Sequence, residues 1–184
     1  MIFGSELDPA VIAAAAWLLA VVVGSAGIHK LLHVDAFRGV MRDYRLFPEA
    51  LTETLIRVVP IFEVTLAGLL LLAQTRTLAG TLTASLLAVY GFAIGINLAR
   101  GRTHIDCGCS WNAEGQPLSG WLLLRNAGLV GLGLLSTSTP TPRALGLVDA
   151  AVIAATTVTG LLLYFAAEQL LANHARIKMT EAIP

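Results

Sequence analysis

Charge is what this sequence has least of. Only 13% of its 184 residues are Asp, Glu, Lys or Arg, against roughly 25% in an ordinary soluble domain. The 12 basic and 12 acidic residues cancel, and neither sign gathers into a tract. A basic nucleic-acid surface and an acidic solvating tail are therefore both excluded. Cysteine is almost as scarce. There are two, Cys107 and Cys109, next-but-one neighbours, which excludes a scaffold stapled by several disulfides. No internal repeat and no composition break divides the chain, so residues 1–184 are expected to form a single integral membrane domain.

What remains is apolar. Hydrophobic residues make up 56% of the chain and the mean hydropathy is +0.75, a composition that lipid accommodates and water does not. Helices and closed barrels are the structures that satisfy every backbone polar group inside a bilayer, and the long uncharged runs are helical in length. Five spans are predicted, at 9–32, 51–73, 77–99, 119–135 and 145–171. Pro9 suits a first helical turn. Glu6 and Asp8, rather than basic residues, precede the first run, so it is expected to be a retained helix rather than a cleaved signal. The expected fold is all-α and polytopic: a four-helix transmembrane bundle, a fifth C-terminal transmembrane helix, and an interfacial helix after the first span.

That interfacial helix is predicted from spacing. Val34, Phe37, Val40, Met41, Tyr44 and Phe47 recur every three or four residues, with Lys30, Arg38, Arg42 and Arg45 around them, the pattern of a helix lying in the headgroup region. Glu53 and Arg57, four apart, are expected to pair at the same level. Five spans put this segment, the cysteine loop and the C-terminus on one side. That side carries nine basic residues: Lys30, Arg38, Arg42, Arg45, Arg57, Arg100, Arg102, Arg176 and Lys178. The opposite side has Arg76 and Arg143. The positive-inside rule taken alone puts the cysteines in the cytoplasm, whereas disulfide chemistry favours the oxidising outer face. The chemistry is given precedence, and the cysteine loop is expected outside.

The cysteines sit in His104-Ile105-Asp106-Cys107-Gly108-Cys109-Ser110-Trp111. A disulfide between residues i and i+2 closes a small, strained ring, with Gly108 supplying the backbone freedom. Strain makes a disulfide easier to reduce, which suits a redox couple better than a staple. His104, Arg100 and Arg102 favour a thiolate here and Asp106 opposes it. Two other readings stay open. The cysteines can be apolar fillers. His104, Cys107 and Cys109 can also ligate zinc or copper, although three ligands without a fourth make a weak site, and no metal is expected.

Within the spans, Glu63, Arg125 and Asp149 are costly in lipid and should face the bundle interior or pair. Arg125 is expected to pair with Glu63, as an ion pair or a proton-handling element. Asn97 is expected to bond between helices. Pro60 should bend its helix.

The Cys-Gly-Cys after the third span, with Trp121-Leu-Leu-Leu-Arg125-Asn126 in the fourth, resembles the methylamine utilisation protein E (MauE) family of DoxX-like small membrane proteins. Members often carry an aromatic residue and a glycine after the second cysteine, where Ser110-Trp111 stand here. The resemblance spans about residues 8–172. It implies a thiol–disulfide oxidoreductase of the bacterial inner membrane, with Cys107 and Cys109 as the redox pair; Gly108, His104, Arg125, Asn126 and Glu63 are the residues expected to support them. It also implies a thioredoxin-fold periplasmic partner (MauD-like) and a part in the maturation of methylamine dehydrogenase. The architecture is also similar to vitamin K epoxide reductase homologues, which implies a quinone acceptor, here near Trp111 or Trp121. Those enzymes have a second, shuttle pair of cysteines that this chain lacks. The competing expectations are a non-catalytic membrane anchor subunit and a metal-binding membrane protein.

Overall fold

The computed structural model describes residues 6–108 and 117–181, without the side chains of residue 172 and of residues 174–181. Cys109 and Trp111 lie outside the described residues. Six helices follow one another: α1 (Pro9–Leu32), α2 (Val34–Tyr44), α3 (Glu49–Leu71), α4 (Arg76–Ala99), α5 (Gly120–Leu135) and α6 (Leu147–Glu181). α1, α3, α4 and residues 147–171 of α6 are long and apolar enough to cross a membrane. α5 is shorter, with 16 residues, or about 24 Å at 1.5 Å per residue against the roughly 30 Å of a hydrocarbon core. α6 runs ten residues past the span expected to end at residue 171. Hydropathy marks where a helix leaves lipid, not where its hydrogen bonding stops.

α1 is the centre of the bundle, packed on α3, α5 and α6 and touching α2. Its alanine run and Leu19, Val22 and Val23 are buried. Small residues set the helix crossings, as they do where lipid supplies no hydrophobic drive between helices. A Cβ on Gly80 of α4 would lie 2.9 Å from the Gly133 carbonyl of α5. A Cβ on Gly27 of α1 would lie 2.9 Å from the Cβ of Glu63 on α3. The outer surface is apolar, with Phe92, Leu147, Leu162, Leu163 and Leu170 all exposed. Water does not tolerate so continuous an apolar surface, and lipid is its natural solvent.

Each end is tied. Asp8 caps α1 through the Ala10 amide (2.8 Å) and, with Asp149, holds Arg143 through four contacts between 2.8 and 3.0 Å. The Leu7 amide donates to Thr139 and the Thr141 amide to Leu7, so the segment before α1 is laced to the α5–α6 connection. At the other end α2 is held to α3. Arg38 and Arg42 both reach Glu53, at 3.3 and 3.1 Å, which replaces the expected Glu53–Arg57 pair. Arg57 is exposed instead. A carboxylate between two guanidiniums of a neighbouring helix gains more than one facing a single, flexible i+4 partner. Asn97, expected to bond across helices, donates to the Ala93 carbonyl of its own helix at 3.1 Å.

Candidate functional site

The two described ends of the cysteine loop pack against the bundle. Leu118 donates to the Ile105 carbonyl at 3.2 Å and Asp106 bridges Pro117 in antiparallel register, closing the loop at its base. Ile105 and Leu118 are buried with Ile94 of α4, Leu122 of α5 and Tyr44 of α2, and Cys107 is buried among them at 5% exposure. Gly108 has a φ of +69°, a conformation that costs other residues. A Cβ there would also lie 2.7 Å from Val40 Cγ1, so α2 lies directly on the Cys-Gly turn. The Asp106 carboxylate accepts the Gly108 amide at 3.2 Å, and the Tyr44 hydroxyl donates to the Cys107 carbonyl at 3.4 Å.

Arg125 is the cation against the sulfur. It is 8% exposed, and its Nη2 lies 3.6 Å from Cys107 Sγ while Nη1 donates to Glu168 of α6 at 3.1 Å. The expected Arg125–Glu63 pair is not formed. Glu63 accepts from Lys30 at 2.5 Å and from the Tyr90 hydroxyl at 2.8 Å. Glu63 is taken by Lys30, whose long side chain reaches down from the end of α1, and Arg125 by Glu168 of α6. Lys30 and Glu63 are 3% and 2% exposed, and the ammonium lies 4.9 Å from the Tyr90 ring centre and 5.3 Å from that of Phe37. Two buried ion pairs thus stand where one was expected.

Other expected residues fall elsewhere. His104 and Arg100 are exposed, and Arg102 donates to the Asp43 carbonyl. Asn126 is buried one residue beyond Arg125. Trp121 is half-buried at the start of α5. Lys30, Tyr44, Tyr90 and Glu168 belong to the site without having been singled out. Glu168 was visible in principle as an isolated carboxylate in an apolar run. Lys30 was counted among the charges around the interfacial helix, Tyr44 in that helix's apolar pattern, and Tyr90 carries no sequence signal.

Two cavities flank these side chains. One, of about 70 Å³, is lined by Lys30, Glu63, Tyr90, Arg125, Asn126 and Glu168 among others. The second, of about 200 Å³, is almost entirely apolar, lies between α2, α3 and α4, and has Cys107 and Gly108 in its wall. Among the described residues, no three His, Cys, Asp or Glu side chains come together as a metal site.

The profile described as "Methylamine utilisation protein MauE" matches residues 8–139, which include the cysteine loop and Arg125. The chain belongs to the MauE family. Relatives named methylamine utilization protein MauE are 35% identical over 165 residues in Paracoccus denitrificans and 41% over 167 residues in Methylorubrum extorquens, each covering 89% of both chains. The one in Methylophilus methylotrophus is 37% identical over 134 residues, 72% of this chain and 70% of its own. No solved structure matches. Glu168 lies beyond the stretch matched by the MauE profile, so the counter-ion of Arg125 comes from outside it.

Proposed function

We propose that this MauE-family protein is a membrane thiol–disulfide oxidoreductase working through Cys107 and Cys109, with methylamine utilisation as its setting. The observation that carries this is the guanidinium of Arg125 at 3.6 Å from a buried Cys107 sulfur. A fixed cation beside a buried sulfur favours the thiolate, the form that attacks and leaves in disulfide exchange. A filler cysteine needs no such neighbour, and an arginine held only for stability is already balanced by Glu168.

The exchange is then directional. A thiolate on a thioredoxin-fold partner attacks Cys109 of a Cys107–Cys109 disulfide. The S–S bond breaks, Cys107 leaves as a thiolate against Arg125, and the mixed disulfide at Cys109 is resolved by the partner's second thiol. Burial of Cys107 supports this order, since a bulky partner cannot reach it. The partner leaves oxidised and the pair reduced. A quinone fits as the oxidant that restores the pair. The apolar cavity beside Cys107 offers Phe37, Tyr44, Phe47 and Tyr90 as aromatic walls and Lys30 as a hydrogen-bond donor. Such an acceptor would supply a two-electron, two-proton oxidation.

The outer face of the inner membrane suits this chemistry. The ties of Lys30 to Glu63 and of Arg38 and Arg42 to Glu53 support it, because three of the nine basic residues on that side are held by carboxylates. The test is trapping in cells. Cys107→Ser should accumulate a mixed disulfide with a thioredoxin-fold protein at Cys109, and Cys109→Ser should not. If neither variant, nor a Cys107→Ser/Cys109→Ser double, changes partner oxidation, the chain is an anchor rather than an oxidoreductase.

A further inference from the structure

The smaller cavity lies among α1, α3, α4, α5 and α6. It lies beside the middle of α3 and α5 and is bordered by two buried ion pairs, yet two fully buried polar atoms at its wall have no partner among the described residues: Glu63 Oε2 and Asn126 Nδ2. An unsatisfied polar group at membrane depth is costly, so something polar meets them. The cavity's volume of about 70 Å³ holds several waters, since one needs roughly 10–15 Å³ on this measure. Its donors and acceptors suit water, and its two cations and two carboxylates cancel, so no charged ligand is called for.

The geometry at Glu63 is specific. Oε1 takes both hydrogen bonds, from Lys30 at 2.5 Å and Tyr90 at 2.8 Å, and Oε2 is buried with no partner among the described residues. A proton can add to Oε2 without disturbing either bond at Oε1. The chamber also reaches the cysteine. Arg125 lines it and touches Cys107 Sγ, while Lys30 and Tyr90 line both it and the apolar cavity walled by Cys107. Arg125 favours the thiolate but cannot take its proton, because a guanidinium is always protonated. A buried thiol that ionises there needs another base.

We propose that the chamber is hydrated and that Glu63 is the proton acceptor of the cysteine site, taking the Cys107 proton on Oε2 through chamber water. The step balances without electrons and belongs to the reduced pair: where the released Cys107 sulfur has taken up a proton, its S–H bond breaks, an O–H bond forms on Glu63, and the charge moves from carboxylate to sulfur, restoring the thiolate. The proposal rests on the redox reading of Cys107 and extends it to a residue in the middle of the membrane.

The test is infrared difference spectroscopy of the full chain in lipid nanodiscs, oxidised against reduced with a phosphine, with free thiols counted in parallel. Reduction should produce the carbonyl stretch of a protonated carboxylic acid. The band should shift on labelling with carboxyl-¹³C glutamate, vanish in Glu63→Gln and in Cys107→Ser, and persist in Glu168→Gln. The labelling identifies a glutamate without mutation if Glu63→Gln does not fold, and Glu168→Gln then separates the two carboxylates. A band that survives Glu63→Gln, or is lost in Glu168→Gln, overturns the assignment. Two thiols appearing on reduction with no acid band overturns the proton role while leaving the redox reading standing. No new thiols on reduction removes both.

Discussion

Arg125 shows how one side chain ties chemistry to stability. Its guanidinium faces Cys107 on one side and Glu168 on the other, so replacing it does two separable things. Arg125→Ala leaves Glu168 buried without its counter-ion, a loss of about 3–5 kcal/mol by analogy with other buried pairs, which thermal unfolding in detergent will register. Arg125→Lys keeps the charge but not the planar fork that serves two partners at once. In a Cys109→Ser background the maleimide reaction of Cys107 at neutral pH should slow on the order of tenfold in Arg125→Lys, with a smaller loss of stability than in the alanine variant. Equal rates in the two proteins would mean that the guanidinium does nothing for the sulfur.

Helices meet here through missing side chains as much as through present ones. At the α4–α5 crossing Gly80 and Gly133 face each other, and a Cβ on Gly133 would lie 2.9 Å from Ala84 Cβ. Gly80→Leu forces the helices apart and should destabilise the fold by at least about 1–3 kcal/mol, while Gly128→Leu, at a position open to the outside, should be silent in the same melting assay. The clasp around Arg143 makes a pH prediction. The Arg143 guanidinium, and then the Ala10 amide, hold Asp8 below its ordinary value of 3.8. A carboxylate whose folded value is depressed adds stability that is complete above the ordinary value and lost as pH falls through the lower one. The protection factors of the Leu7 and Thr141 amides, exchange rates corrected for their intrinsic pH dependence, should therefore stay constant from neutrality to about pH 4 and fall below it. In Arg143→Gln the protection should already be low at neutral pH.

For the molecule as a whole, five helices traversing the bundle put α2, the cysteine loop and the end of α6 at one end, and the Asp8–Arg143–Asp149 clasp at the other. Which end faces out decides the biology, and labelling with a membrane-impermeant maleimide decides it. The proposed function requires that intact cells label only after reduction. Labelling that needs broken membranes and no reductant would place free thiols in the cytoplasm, and the positive-inside rule would have prevailed over the redox argument.

The sequence by itself determined the class of solvent, the number and order of the helices, the amphipathic segment after the first span, and the Cys-Gly-Cys motif. Each is written in local composition or in a short period, and composition and period need no partner to be read. Only the tertiary structure decided who pairs with whom. Four buried charges, Lys30, Glu63, Arg125 and Glu168, allow more than one pairing. The outcome depends on how deep each lies and how far its side chain reaches, quantities set by the α1–α3 and α4–α5 crossings. The contact of Arg125 with Cys107 joins residues 18 positions apart in a chain that reverses between them. No periodicity encodes such a contact, because it exists only once α2, α4 and α5 have closed around the loop.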